Sequence, residues 1–247
     1  MLIVNADDWG SIEQTTDSIL DCWNRGKVNS VSGMVFMTDS ARAAELARAN
    51  GIDVGLHLNL TQTLSGPGVT ECFRTHFQVV SSYLKARSLN QVLYNPRIRT
   101  PLDYIFKAQW DEYCRLYQVE PTRIDGHHHM HLCMNMLLSG LIPRGVRVRR
   151  NFTFARGEKS ALNRLYRRLV DRGLAGRFQC EDCFFAIVPI ETKRLQHIVE
   201  LSRRLKVELM VHPGSDKEYS FLLSDGWSSL ESEALRGFIG RGSSGAG

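Results

Sequence analysis

Asn5-Ala6-Asp7-Asp8-Trp9-Gly10 sets two adjacent carboxylates directly after the apolar run Leu2-Ile3-Val4 and just before a glycine. Neighbouring residues of an extended strand point to opposite faces, so both acids can serve one centre only if the chain turns there, which Gly10 makes easy. One carboxylate could then hold a metal while the other handles a proton. The same kind of chemistry recurs at His57, along Asp125-Gly126-His127-His128-His129-Met130-His131 and at His212, which together hold six of the eight histidines. A lone buried histidine such as His57 is more often a hydrogen-bonded core residue than a ligand. Imidazoles and carboxylates converging together are what a divalent ion requires. Within the run, extended geometry sends His127, His129 and His131 to one face and His128 to the other, so only one subset can reach a common ion.

These residues must be positioned by a chain of ordinary globular composition, with 247 residues, 43% hydrophobic and 23% charged. No Pro, Gly or Ser-rich linker interrupts the interior, which predicts one domain over 1–239 and a low-complexity tail over 240–247. The first apolar run is short and ends in two acids, unlike a secretory signal, so a cytoplasmic location is expected. No window approaches the roughly 20 apolar residues of a membrane span. Six cysteines in a chain this long do not make a disulfide scaffold. Cys180-Glu181-Asp182-Cys183 has a metal-clip spacing, but a structural zinc site wants a second pair. The net charge of +5 is concentrated between Arg144 and Arg172, including Arg147, Arg149, Arg150, Arg156, Lys159, Arg164, Arg167 and Arg168. A solvated strand and helix face is the favoured reading of that stretch, over an electrostatic footprint for nucleic acid, phosphate or an anionic lipid surface. No nucleic-acid motif with interleaved aromatics accompanies it.

Hydrophobic periodicity predicts a helix over Ser11–Arg25 and a buried strand over Val31–Met37. Asp39 or Ser40 caps a helix to about Ala49, Gly51 stops it, and Val54–Leu60 alternates as a strand. Thr100-Pro101 opens a helix to about Gln118, followed by strands at Thr122–His128 and Gly145–Arg150 and a helix over Ser160–Asp171. Phe184–Val188 is a strand, Thr192–Lys206 a helix and Val207–His212 the seventh strand. Such alternation predicts parallel strands with helical crossovers. Polar residues at the strands' carboxyl ends favour an α/β architecture in the form of a distorted (β/α) barrel with the site at that rim, over an open sheet. Residues 61–99 do not fit the alternation and are read as a lid or substrate loop.

Four segments carry a specific resemblance: residues 4–10, Val54-Gly55-Leu56-His57-Leu58-Asn59-Leu60-Thr61, residues 121–131, and Met210-Val211-His212-Pro213-Gly214. In this order they resemble the motifs of the YdjC-like carbohydrate deacetylases, the family that includes chitooligosaccharide and hopanoid-pathway deacetylases. The resemblance runs from residue 2 to about 215 and is weak over 61–99 and 151–190. It implies a distorted (β/α) barrel and one divalent metal held by Asp8, His57 and His127. Asp7 is the implied catalytic base, and His212 takes the position of the general acid. Arg147 or Arg149, at the end of the fifth strand, is expected to pair with and orient Asp7, and Trp9 and Arg147 are assigned to the substrate side. Trp9 replaces a common phenylalanine and serves either as a sugar-stacking face or as a hydrophobic plug. Two histidines and one carboxylate suit zinc; magnesium is the other leading choice, and manganese, cobalt and nickel also fit.

The implied reaction removes acetyl from an N-acetylated amino sugar or glycoconjugate, giving acetate and a free amine. No nucleic-acid partner is implied, and a homodimer is compatible with the resemblance. Two rival readings remain at this point: a metal-dependent phosphoesterase, and a non-catalytic binding protein that uses the arginine-rich face.

Overall fold

A computed structural model describes residues 1–154, 158–230 and 232. Seven strands alternate with helices: β1 (Leu2–Trp9), α1 (Glu13–Asn24), β2 (Ser30–Gly33), α2 (Ser40–Asn50), β3 (Val54–Leu58), α3 (Glu71–Ala86), α4 (Leu89–Val92), α5 (Arg99–Tyr117), β4 (Arg123–Gly126), α6 (Met134–Ser139), β5 (Arg147–Val148), α7 (Ala161–Ala175), β6 (Cys183–Ala186), α8 (Thr192–Ser202), β7 (Val207–Val211) and α9 (Asp216–Leu222). They form one all-parallel sheet in the order β5-β4-β3-β2-β1-β7-β6. The sheet curls into a half-barrel whose edges approach each other. Val148 N–H donates to the Gln179 carbonyl at 2.9 Å and Thr153 N–H to the Phe184 carbonyl at 2.8 Å, joining the β5 side to the β6 side without a full ladder.

The period-two alternation of the strands explains what lies on either side of the sheet. Val4, Ala6, Val31, Val54, Leu56, Leu58, Leu209 and Val211 are buried among the core side chains. Their neighbours Asn5, Asp7, Ser30, Ser32, His57 and Glu208 are also buried but polar, and they meet one another inside the curl. Asn5 is the hub of that layer. Its side-chain amide donates to Asp7 Oδ1 at 2.7 Å and Ser32 Oγ at 2.9 Å, while its carbonyl accepts from Ser30 at 2.6 Å.

Several expected boundaries shift. β2 ends at Gly33 rather than Met37, because the next residues leave the sheet and Phe36 adopts a left-handed φ of 59°. α5 starts at Arg99 with Ile98 at its cap, so Thr100 is already inside the helix. The segment expected as a loop over 61–99 is largely helical. Thr70 caps α3 by accepting from Phe73 N–H at 3.1 Å, and Phe73, Phe77, Val80 and Leu84 line its buried side at helical spacing. The tail expected from residue 240, and Arg156 of the basic stretch, lie outside the described residues.

Candidate metal centre

Asp8 reaches the same rim as Asp7 because the strand is irregular there. The β1/β2 register slips between Ala6 and Trp9, and Asp8 itself takes a left-handed φ of 70°. The turn required of the acidic pair is thus made by Asp8 as well as by Gly10. His57 comes from inward-facing β3 and is paired in register with Asp125 on β4.

The histidine run is not extended. Residues His127–Leu132 form a tight 3₁₀ segment in which His128 and His129 take left-handed φ of 53° and 59°. Gly126 permits the reversal, since a Cβ there would stand 2.9 Å from the His131 backbone nitrogen. The four side chains separate accordingly. His127 Nδ1 lies 3.0 Å from Asp8 Oδ1, and His128 Nδ1 lies 3.0 Å from Thr61 Oγ1. His129 stands edge-on to Phe152 and Phe184, with ring centroids 4.5 and 5.6 Å away. His131 Nε2–H donates to the Arg149 carbonyl at 2.9 Å. Burial pushes His129 down to about 2 and His131 down to about 4, so both are neutral side chains at physiological pH.

Asp8, His57 and His127 each offer a donor atom within 4.8 Å of the other two. Asp8 Oδ1 is 3.4 Å from His57 Nε2. The other ring nitrogen of His57 donates to Asp125 Oδ1 at 2.7 Å, which fixes the tautomer and aims Nε2 at the cluster. Burial opposes charge on Asp8, but hydrogen bonds from His127 and His57 outweigh it and hold the carboxyl well below its usual range. Burial also opposes charge on His57, yet Asp7 and Asp125 push it up to about 10. A field that draws a proton this strongly to a buried imidazole draws a cation to the same point. The donor types, spacing and supporting carboxylate therefore fit a divalent ion.

Beneath the cluster, Arg149 is almost fully buried and meets three carboxylates. Its guanidinium binds both oxygens of Asp7 at 2.7 Å, Asp125 Oδ2 at 2.7 Å and Glu208 Oε1 at 2.7 Å. At the neighbouring strand end, Ala6 pairs in register with Val211, so His212 follows β7 beside Asp7. The backbone N–H of His212 donates to Glu218 Oε2 at 2.6 Å, and its Nδ1 lies 3.7 Å from Glu218 Oε1.

The sequence matches the family of YdjC-like proteins over residues 1–236. The chain belongs to the YdjC-like family. Among curated relatives, a carbohydrate deacetylase of Mus musculus is 31% identical over 53% of this chain and 43% of its own length. One of Danio rerio is 27% identical over 53% and 42%. A chitooligosaccharide deacetylase of Proteus mirabilis is 30% identical over 53% and 50%. The chain thus spans about half the length of the curated relatives it matches. Among solved structures, a proposed cellobiose-phosphate cleavage protein of Enterococcus faecalis V583 shares the fold, with a TM-score of 0.67, 18% identity and 94% of each chain covered.

In this YdjC-like chain the residues expected at the site fall into two groups. Asp7, Asp8, His57 and His127 come together at the strand ends, and His212 follows the neighbouring strand β7. Trp9 and Arg147 do not join them. Trp9 is fully buried in the core and presents no face to a sugar, which fits the plug reading. Arg147 sits in register with Arg123 at the start of β4, short of the rim, and faces Glu181 at 3.6 Å. Arg149, two residues on, is the arginine that binds Asp7. Cys180 and Cys183 join no candidate metal group among the described residues, and burial pushes Cys180 up to about 11.

In the sequence Asp125 stands among the strand-end polar residues with no legible role, and neither Glu208 nor Glu218 belongs to a motif. A single acid inside Val207-Glu208-Leu209-Met210-Val211 was the available signal for Glu208. No helix among the described residues is long and apolar enough to cross a membrane.

Proposed function

We propose that this protein is a metal-dependent hydrolase that removes acetyl from an N-acetylated amino sugar, releasing acetate and a free amine. The observation that carries the reading is the placement of Asp7, gripped by Arg149, directly beside the Asp8-His57-His127 donor set. The deacetylases among its relatives supply the substrate class. Asp8, His57 and His127 would hold the ion, whose chemistry is to polarise an amide carbonyl and to make water a nucleophile near neutral pH.

The remaining work falls to the chain's own side chains. Arg149 fixes the orientation of Asp7, whose carboxylate accepts the proton of the attacking water. Asp125 keeps His57 in the tautomer that offers Nε2. His212 donates a proton to the departing nitrogen, and Glu218 holds the residue in place. Water is consumed, the C–N bond breaks, and the acyl carbon leaves as acetate. Zinc or magnesium is the leading choice of ion, with manganese, cobalt and nickel as the others to assay.

The test is acetate release from a panel of N-acetylated amino sugars, run with each metal alongside a generic phosphate ester. Acetate without phosphate is expected. Asp7→Asn should abolish turnover with metal content near normal, whereas His57→Ala and His127→Ala should lose both. Phosphate release without acetate would instead make the protein a phosphoesterase, and retained activity in Asp7→Asn would remove that residue from its role.

A further inference from the structure

Helix α7 turns an apolar row outward. Leu162, Leu165 and Leu169 are 78, 53 and 59% exposed, and spacings of three and four place them on one side of the helix. The core side is occupied by other residues: Val170 packs against the core and Leu174 is buried in it. Arg164, Arg168 and Arg172 follow at intervals of four in the row beside the leucines. The one acid in the helix, Asp171, is turned away from them. It binds Arg150 at 2.8 Å and accepts from the Asn151 side chain at 3.0 Å. The outward side of α7 therefore carries three leucines with the exposed Arg168 and Arg172, half-buried Arg164 stands at its edge, and it holds no carboxylate.

We infer that α7 is a docking face for an anionic lipid bilayer. Leucines seated at the acyl boundary with arginines at the phosphate level are the arrangement of an interfacial helix. A second copy of the chain is a poorer occupant, because two such faces would bring arginine rows together with no acid on either to neutralise them. Nucleic acid would meet the arginines but offers its backbone nothing to receive three leucines. A cleft of about 360 Å³ lies on the inner side of the same helix, lined by Asn163, Tyr166, Arg167, Phe152, His129 and His128. The His128 ring is 4.0 Å from that of His127, so the cleft runs from the docking helix to the edge of the metal centre. The docking itself does not depend on the reaction catalysed there.

The experiment is sedimentation of the full chain with vesicles of phosphatidylcholine alone or of phosphatidylcholine mixed with phosphatidylglycerol. Binding to the mixed vesicles is expected to exceed binding to the neutral ones by at least about tenfold. Leu162→Ser/Leu165→Ser/Leu169→Ser and Arg168→Gln/Arg172→Gln should each lower it by about tenfold, with thermal melts matching the parent chain, since these positions are exposed. Equal binding to both vesicle types, or no binding, would overturn the inference. So would undiminished binding by the leucine variant, which would leave only electrostatic adsorption. A parent dimer that the leucine variant splits into monomers would assign the face to a second copy instead.

Discussion

Arg149 holds both carboxylate oxygens of Asp7 at 2.7 Å across 142 residues of sequence, in a position where neither side chain reaches solvent. A two-point grip fixes the plane of the carboxylate as well as its place, which a point charge would not do. Arg149→Lys should therefore keep a cation among the carboxylates but release the orientation of Asp7, lowering kcat well below the parent while the fold persists. Arg149→Ala removes the guanidinium that binds Asp7, Asp125 and Glu208, and should cost about 3–5 kcal/mol of stability. Urea denaturation and steady-state kinetics on the two variants separate the effects. Parental kcat in Arg149→Lys would show that the fork does not orient the base.

Asp125 links the two halves of the site, since it accepts from His57 Nδ1 at 2.7 Å, from Ser32 Oγ at 2.6 Å and from Arg149 Nη2 at 2.7 Å. In Asp125→Asn the side chain keeps its shape and an oxygen for His57 but loses its charge. Divalent-ion affinity should fall by roughly 10–100-fold, the range seen when a carboxylate behind a metal-binding histidine is lost. Competition against a chromophoric chelator reads this directly. An unchanged dissociation constant would mean that His57 does not act through Asp125.

The longer strands are legible in the sequence where apolar and polar residues alternate. Val54-Gly55-Leu56-His57-Leu58 reads as apolar residues on one face and a histidine on the other, and the fold places them so. What stayed hidden depended on conformations without a local signature. Left-handed Asp8, His128 and His129 follow from how the strand ends fold back, not from their own types. Arg149 could not be chosen over Arg147 because β5 contributes only two residues to the sheet, too few to fix a register by pattern. Glu208 was visible as a lone charge in an apolar strand, but its partner lies 59 residues away. α3 is legible in Phe73, Phe77, Val80 and Leu84 behind Thr70, but α3, α4 and α5 follow one another between β3 and β4, so strand-helix alternation gives no sign of it.

His212 and Glu218 give a prediction in pH. Burial lowers the proton affinity of His212, but the hydrogen bond it donates to Glu218 and the charges of Asp7 and Asp8 raise it, leaving it above the ordinary 6.5. A general acid is active while protonated, so the alkaline limb of the kcat profile should fall above that value. A bound cation offsets much of the charge of Asp8 but leaves Glu218 in place. In Glu218→Gln the imidazole loses its anionic partner, holds its proton less tightly, and the limb should move to lower pH. A profile that stays put would remove His212 from the role of acid.

Glu208 predicts how stability itself depends on pH in the metal-free chain. Three carboxylates share the single charge of Arg149, and burial is the largest influence on Glu208; it raises the group, the Arg149 charge partly opposes it, and the net is a push up to about 7 from an ordinary 4.5. Between those two values the folded chain binds a proton that the unfolded chain has released, so stability falls as pH rises through that window. The cost is complete above about 7 and amounts to a few kcal/mol at 1.36 kcal/mol for each pH unit. Glu208→Gln carries no such proton. It keeps a side-chain oxygen for Arg149 and escapes the loss, so its stability relative to the parent should improve steadily from pH 4.5 to about 7 and level off beyond. Chemical denaturation of both chains in the presence of chelator, at intervals across that range, measures the difference. A difference that is flat with pH would mean that Glu208 is ionised throughout and that Arg149 carries all three charges.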